Sequence, residues 1–207
     1  MGDFTISDEL KRAFAENGVR YISVKRAKPF EFYMAICRAK KQHEYGAFVT
    51  AHSPKEHKDM RLYLTTDKQA GFALTQDGNI VSVFNVSICK GVLKTLLPIA
   101  IENGGCKLDN FNSPKLSALY ELYGFDPVSK TEFDKQFAPV DWNYERDGEP
   151  DIVFWIHNGD SASDVVFNFG AYDVDWSKIR AFSSYEEAEA FRDGLLKSPY
   201  PQRSLDQ

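Results

Sequence analysis

Cys89, Lys90, Gly91 and Val92 stand directly before a run with helical apolar spacing. The first turn of a helix offers backbone N–H groups that no upstream carbonyl satisfies, together with a partial positive charge. Lys90 adds a full charge, and Gly91 lets the backbone come close to a ligand, so these four residues have the chemistry of a pyrophosphate cradle. Other reactive side chains form no recognisable set. His52 and His57 make no H-E-x-x-H motif and have no carboxylate at a zinc-ligand spacing, so no metal is expected. Cys37, Cys89 and Cys106 are far apart and form no C-x-x-C, which suggests neither a disulfide framework nor a cysteine-rich zinc site. There is no G-x-S-x-G elbow, P-loop or G-x-G-x-x-G.

Several elements must position that turn. Ser7 can cap a helix through Phe14 and Asn17, with Asp8 and Glu9 in its first turn and Gly18 as its stop. Tyr21, Ile22 and Val24 suggest a strand, and Pro29 opens a helix in which Phe32, Ala35, Ile36 and Ala39 follow helical spacing. Gly46 closes that helical unit, and Ala47 to Ala51 reads as a strand. RLYLTT, AGFAL and NIVSVFN then read as extended segments, the last two joined by Asp77-Gly78-Asn79 in a hairpin. Behind Gly91, Leu93, Leu96, Leu97 and Ala100 recur at i, i+3, i+4 and i+7 as far as Asn103-Gly104-Gly105. Pro98 lies inside this run and should kink or loosen it.

KLDNF follows as a strand, and Ser113-Pro114 opens a helix carrying Leu116, Leu119, Tyr120 and Tyr123 on one face before Gly124 ends it. After PVSKTEF comes a Pro-, Gly- and acid-rich loop, APVDWNYERDGEPD, and then the strand DIVFWIH. VVFNF reads as a further strand. Ser184 and Glu187 form a capping box for a last helix striped by Ala188, Phe191 and Leu195. The expected fold is α/β, with a mixed, mostly antiparallel central sheet flanked by helices. The expected division is a domain over residues 1–158 and a strand and helix appendage over 159–207.

IVSVFN, KGVLKTLLPIAIENGG, CKLDNF and LSALYELYGF, in that order and at those lengths, resemble the acyl-coenzyme-A-binding core of the GNAT N-acetyltransferase superfamily. Leu108-Asp109-Asn110-Phe111 and the segment from Asp134 through Ala138-Pro139 to Trp142 are similar to a GNAT-like group found among phage and prophage proteins. The resemblance implies a GNAT-like fold and an N-acyltransferase using acetyl-CoA. It implies a pantetheine arm along the strand that holds Val83, Phe84 and Asn85, a pyrophosphate at Lys90, Gly91 and Val92, and a further coenzyme contact at Asn112. It also implies that Tyr120 protonates the departing thiolate, a role that suits a phenol uncharged at pH 7. For the base that relieves the acceptor amine of its proton, Asp109 comes first, with Glu102 and His157 as alternatives. Tyr120 also sits on an apolar helix face where a packed core tyrosine fits, and Asp109 could equally cap a neighbouring element.

One motif departs from the family. Its R/Q-x-x-G-x-G/A turn falls on Val86, Ser87, Ile88, Cys89, Lys90 and Gly91, which keeps only the final glycine. Two readings therefore stand: an acyltransferase with an unidentified amine acceptor, and a GNAT-like protein without activity that binds a host or phage protein. Trp142, Tyr144, Phe154 and Trp155 could supply an aromatic recognition surface for such a partner. Twenty-five Lys and Arg against 30 Asp and Glu give a net charge of -5, which argues against the basic face that duplex binding needs. The acidic and basic N-terminus and the absence of a long apolar run lead to the expectation of a cytoplasmic protein without a membrane span.

Overall fold

The computed structural model describes residues 4–167, 174 and 176–197. Seven α-helices and eight strands are assigned there, and the chain is α/β. The strands form two four-stranded sheets rather than one central sheet. Residues 1–105 with 161–168 form one compact unit, and residues 106–160 with 169–207 form the other.

In the first unit, α1 (Asp8–Glu16) starts where Ser7 accepts a hydrogen bond from the Leu10 N–H. The helix α2 (Pro29–Gln42) begins at its proline, whose missing N–H costs nothing at that position. Strands β1 (Val24–Arg26), β2 (Arg61–Thr65), β3 (Ala70–Leu74) and β4 (Ile80–Asn85) pair in sequence order, all antiparallel, so β4 forms one edge of this sheet. Phe32, Ala35, Ile36 and Ala39 cover Leu62, Leu64, Ala73 and Phe84, as the spacing along α2 requires. Truncating Phe32 to alanine would cost about 3–5 kcal/mol. Residues 47–51 form no strand. Gly46–Phe48 is a 3-10 turn, because the Gly46 N–H bonds back to His43 and the Phe48 N–H to Tyr45. The helix α3 (Val92–Glu102) runs on through Pro98 without interruption.

The second unit holds β5 (Lys107–Phe111), α4 (Pro114–Leu122), β6 (Phe125–Thr131), the short α5 (Tyr144–Asp147) and β7 (Ile152–His157). It is completed by β8 (Arg180–Phe182) and α7 (Tyr185–Lys197), with strand order β5-β7-β6-β8. Its sheet is mixed: β7 runs antiparallel to both neighbours, and β8 runs parallel to β6. Pro127 sits where the β6 register shifts, a place that tolerates its missing donor. Gly124 ends the α4 turn at φ 76°, a conformation that side chains rarely adopt.

VVFNF is not the expected strand. Val165 and Val166 lie in α6 (Asp164–Phe167), assigned to the first unit, because Ser161 Oγ accepts the Asp164 N–H at 3.1 Å and starts a helical turn. Asn168 and Phe169 fall outside the described residues. The capping box at Ser184 is present, with the Glu187 N–H donating to Ser184 Oγ at 3.2 Å.

Candidate functional site

The turn between β4 and α3 lies wholly in the first unit. Gly91 is the N-cap of α3 at φ 78°, and no side chain caps the helix. Among the described residues, nothing accepts a hydrogen bond from the N–H groups of Val92 and Leu93, so the helix start keeps its donors. A cleft of about 260 Å³ adjoins the turn, with Arg20, Ser23, Thr65, Asp67, Ser87 and Val92 in its lining. Asp67 is occupied there, accepting from the Thr65 hydroxyl at 2.6 Å and the Gln69 N–H at 3.0 Å.

The middle of the turn differs from its end. The Ser87 N–H donates to Asn85 Oδ1 at 3.0 Å, and the Cys89 N–H to Ser87 Oγ at 3.1 Å. Two donors are thus consumed by neighbouring side chains before any ligand arrives. Ile88 is 100% exposed, so its bulk projects into solvent instead of filling the turn.

Val83, Phe84 and Asn85 line up along β4. Phe84 points into the core, whereas Asn85 serves the turn. Between Val81, paired with Ala73, and Phe84, paired with Gly71, two residues face Phe72 alone, which is a β-bulge at Ser82 and Val83. Ser82 adopts φ 53°, in the left-handed region, and its hydroxyl donates to the Thr50 carbonyl at 3.0 Å. A bulged edge strand carries backbone donors and acceptors that are off the ladder, and sequence reading missed it.

The remaining predicted residues lie in the second unit. Tyr120 is buried on α4, its ring 6.1 Å from Phe125 and 5.9 Å from Trp155. Burial, with a smaller contribution from the Asp109 charge, pushes its phenol well above the ordinary value near 10. Asp109 is on the other face of the sheet. Leu108 pairs with Trp155 and Asp109 with Phe154, so strand alternation sends Trp155 toward Tyr120 and Phe154 toward α7. The structure does not bring Asp109 and Tyr120 together on one face.

What holds Asp109 is a charged cluster that sequence reading also missed. Arg192 on α7 is fully buried, with Nη1 3.9 Å from Asp109 Oδ1 and 3.3 Å from the Leu108 carbonyl. Its Nε donates to Asp193 at 2.9 Å and its Nη2 to Glu189 at 3.3 Å, while the guanidinium lies 5.5 Å from the centre of the Phe154 ring. Burial first, and then the Asp109 charge, push the Tyr185 phenol well above its ordinary value. Buried Lys107 donates to Asp193 at 3.0 Å. Burial raises the Asp193 carboxyl, but Lys107 and Arg192 outweigh it and hold the group below its usual range.

Of the alternative bases, Glu102 in the first unit accepts hydrogen bonds from the Ser7 N–H and hydroxyl at the head of α1. His157 shares the face of Tyr120, since it stands two residues beyond Trp155 and lies 5.0 Å from the same Phe125 ring. Burial holds its imidazole down to about 4, so it is neutral at pH 7, and its Nδ1 accepts the Gly159 N–H at 3.3 Å. Asn112, also in this unit, donates its N–H to the Asp151 carbonyl at 2.7 Å and accepts from the Ser117 hydroxyl at 3.0 Å. Among the described residues no group of three or more His, Cys, Asp or Glu side chains is placed to hold a metal ion, and no helix is long and apolar enough to cross a membrane. The chain matches no family model, no curated protein and no solved structure.

Proposed function

We propose that this chain is a GNAT-like N-acyltransferase that moves an acyl group, acetyl in the simplest case, from acyl-coenzyme A to an amine. The observation that carries the reading is the start of α3: a left-handed Gly91, donors left free at Val92 and Leu93, and a cleft beside them, directly after a bulged edge strand. Free N–H groups and the helix dipole favour the pyrophosphate, with Lys90 and Arg20 adding charge. The off-ladder backbone at Ser82 and Val83 offers partners for the pantetheine amides.

In the reaction the amine nitrogen attacks the thioester carbon, a C–N bond forms, the C–S bond breaks and the electron pair leaves on sulfur. The amine sheds one proton. Tyr120 stays protonated at neutral pH, but a phenol above 10 is a weaker acid than a thiol near 8.5, so full proton transfer to sulfur runs uphill. Tyr120 is buried in the second unit and the α3 cleft lies in the first, so a hydrogen bond from Tyr120 to the developing thiolate rests on the GNAT resemblance alone. His157, on the same face, is neutral, but burial weakens it as a base and its Nδ1 lone pair already accepts the Gly159 N–H at 3.3 Å, so the amine's proton leaves to solvent in this scheme. Asp109 stays with Arg192 on the α7 face and takes no step in this scheme. Isothermal titration with acetyl-coenzyme A tests the donor half: binding supports the reading, and no heat at roughly 1 mM coenzyme sinks it.

A second reading, a GNAT-like protein that has lost the coenzyme and binds another protein, is favoured by the turn itself. Asn85 and Ser87 satisfy donors that a phosphate would otherwise use, and fully exposed Ile88 is a side chain suited to a partner. Absent coenzyme binding with an otherwise well-folded protein would decide for it.

A further inference from the structure

A pocket of about 290 Å³ lies in the second unit, where β5 and β6 end and β7 and α7 begin. Its apolar walls are Phe111, Phe133, Phe137, Ile152 and the ring of Tyr185. Its charged lining is entirely acidic: Glu132, Asp134 and Glu186. Among the described residues no basic side chain pairs with these three acids. The lysines nearest in sequence are engaged elsewhere, Lys130 with Asp151 at 2.8 Å and Lys135 with Glu149 at 2.7 Å.

We propose that this pocket receives a basic side chain of a partner peptide, arginine in preference to lysine. Small-molecule sites run from about 300 to 1,000 Å³, so this volume is at the bottom of that range and suits one side chain rather than a nucleotide-sized cofactor. A planar guanidinium stacks on aromatic faces and donates paired hydrogen bonds to carboxylates, and the pocket supplies both partners. The chain's net charge of -5 draws a basic segment in at longer range.

The flanking surface argues for a peptide rather than a free amine. Phe137, one of the pocket's walls, is 80% exposed, giving an apolar ridge at the pocket's mouth on which a neighbouring residue of the peptide can rest. The loop presenting this ridge is tied down. Asp134 accepts the Gln136 N–H at 2.8 Å, and the Trp142 indole donates to the Gly148 carbonyl at 2.9 Å. The Trp142 ring also packs 4.6 Å from Phe111 and 5.0 Å from Phe133. A surface held in place before binding loses little freedom when a partner arrives.

The proposal is independent of acyl transfer, and its test contains no coenzyme. The probes are a capped acetyl-Gly-Arg-Leu-amide tripeptide and its citrulline twin, which keeps the shape and loses the charge. Titration is followed by calorimetry and tryptophan fluorescence. The arginine peptide is expected to bind in the range of roughly 0.1–1 mM, and the citrulline peptide at least about tenfold more weakly. Glu132→Gln with Glu186→Gln should bring the arginine peptide down to the citrulline level, while Phe137→Ser should weaken both peptides. All three positions are on the surface, and circular dichroism confirms folding of the variants. Equal binding of the two peptides, unchanged binding by the double variant, or no binding by either peptide at roughly 10 mM would overturn the proposal.

Discussion

Replacing Arg192 with alanine should unfold the second unit far more readily while leaving the first unit largely as it was. The guanidinium is fully buried, and its three acids are each about a quarter to two fifths exposed. Removing one partner of a fully buried ion pair costs about 3–5 kcal/mol. Because water still reaches these carboxylates, the electrostatic part belongs below that range, at about 2 kcal/mol. Loss of the Phe154 stacking and the cavity left behind add about 1 kcal/mol, for a total cost of about 3 kcal/mol. Arg192→Met keeps most of the volume and the contact with Phe154 and should cost only the electrostatic part, about 2 kcal/mol.

The assay is selective because Trp142, Trp155 and Trp176, the chain's three tryptophans, all belong to the second unit. Urea unfolding followed by tryptophan fluorescence therefore reports that unit. With slopes of about 1–3 kcal/mol/M, a loss of about 3 kcal/mol moves the midpoint by about 1–3 M. Asp109→Asn should shift it much less, since Arg192 keeps the Asp193 and Glu189 carboxylates and the Asp109 contact is the longest of the three at 3.9 Å. A loss below about 1 kcal/mol for the alanine variant, or a methionine variant as stable as the unaltered chain, would refute the assignment of Arg192 as the charged anchor of this sheet.

The buried His157 predicts a pH dependence in the same fluorescence signal. Its folded value of about 4 lies below the ordinary 6.5, so the unfolded chain takes the proton first; stability is full above about pH 6.5 and is lost as pH falls toward 4, by about 3 kcal/mol in all. His157→Phe should remove that slope, and an unchanged slope between pH 6.5 and 4.5 would count against it. Gly91→Ala should cost about 1 kcal/mol through its left-handed backbone alone, since the nearest atom to an added Cβ is Lys94 Cδ at 3.7 Å. Gly18→Ala, at φ 63° with nothing near, is the matched control: thermal shift should show similar losses, and titration should show weakened acetyl-coenzyme A binding only for Gly91→Ala. Trp142→Phe keeps the ring contacts and removes the hydrogen bond to Gly148; a cost of about 1 kcal/mol should appear as faster proteolysis between 133 and 149.

Local signals in the chain were good guides wherever one residue type does one local job. Ser7, Pro29, Ser113 and Ser184 start helices where their side-chain chemistry places them, and the Asp77-Gly78-Asn79 turn joins β3 to β4. Apolar runs misled at Ala47–Ala51 and at VVFNF, because hydrophobicity alone does not separate a buried short helix from a strand. At 161–167 the decisive residue is Ser161, a cap four positions before the apolar run begins at Val165. The bulge at Ser82 had no cue at all, since Ser-Val inside a β-run is compatible with a regular ladder.

The candidate site was legible only as far as backbone logic reaches. Gly91 before a helix predicts free donors, and those donors are there at Val92 and Leu93. Whether two side chains meet depends instead on which face of a sheet each one takes. Asp109 and Tyr120 are only eleven positions apart, yet one belongs to the α7 face and the other to the Trp155 face. Arg192 is the physical reason for that separation, since a buried cation on α7 requires a carboxylate on the strand beneath it. The Ala188-Phe191-Leu195 stripe marks the buried side of α7, and Arg192, four residues after Ala188, lies on that side. A charged residue at a core position of an amphipathic helix is therefore the signal that would have moved Asp109 from catalysis to architecture, leaving Tyr120 with His157 on the opposite face.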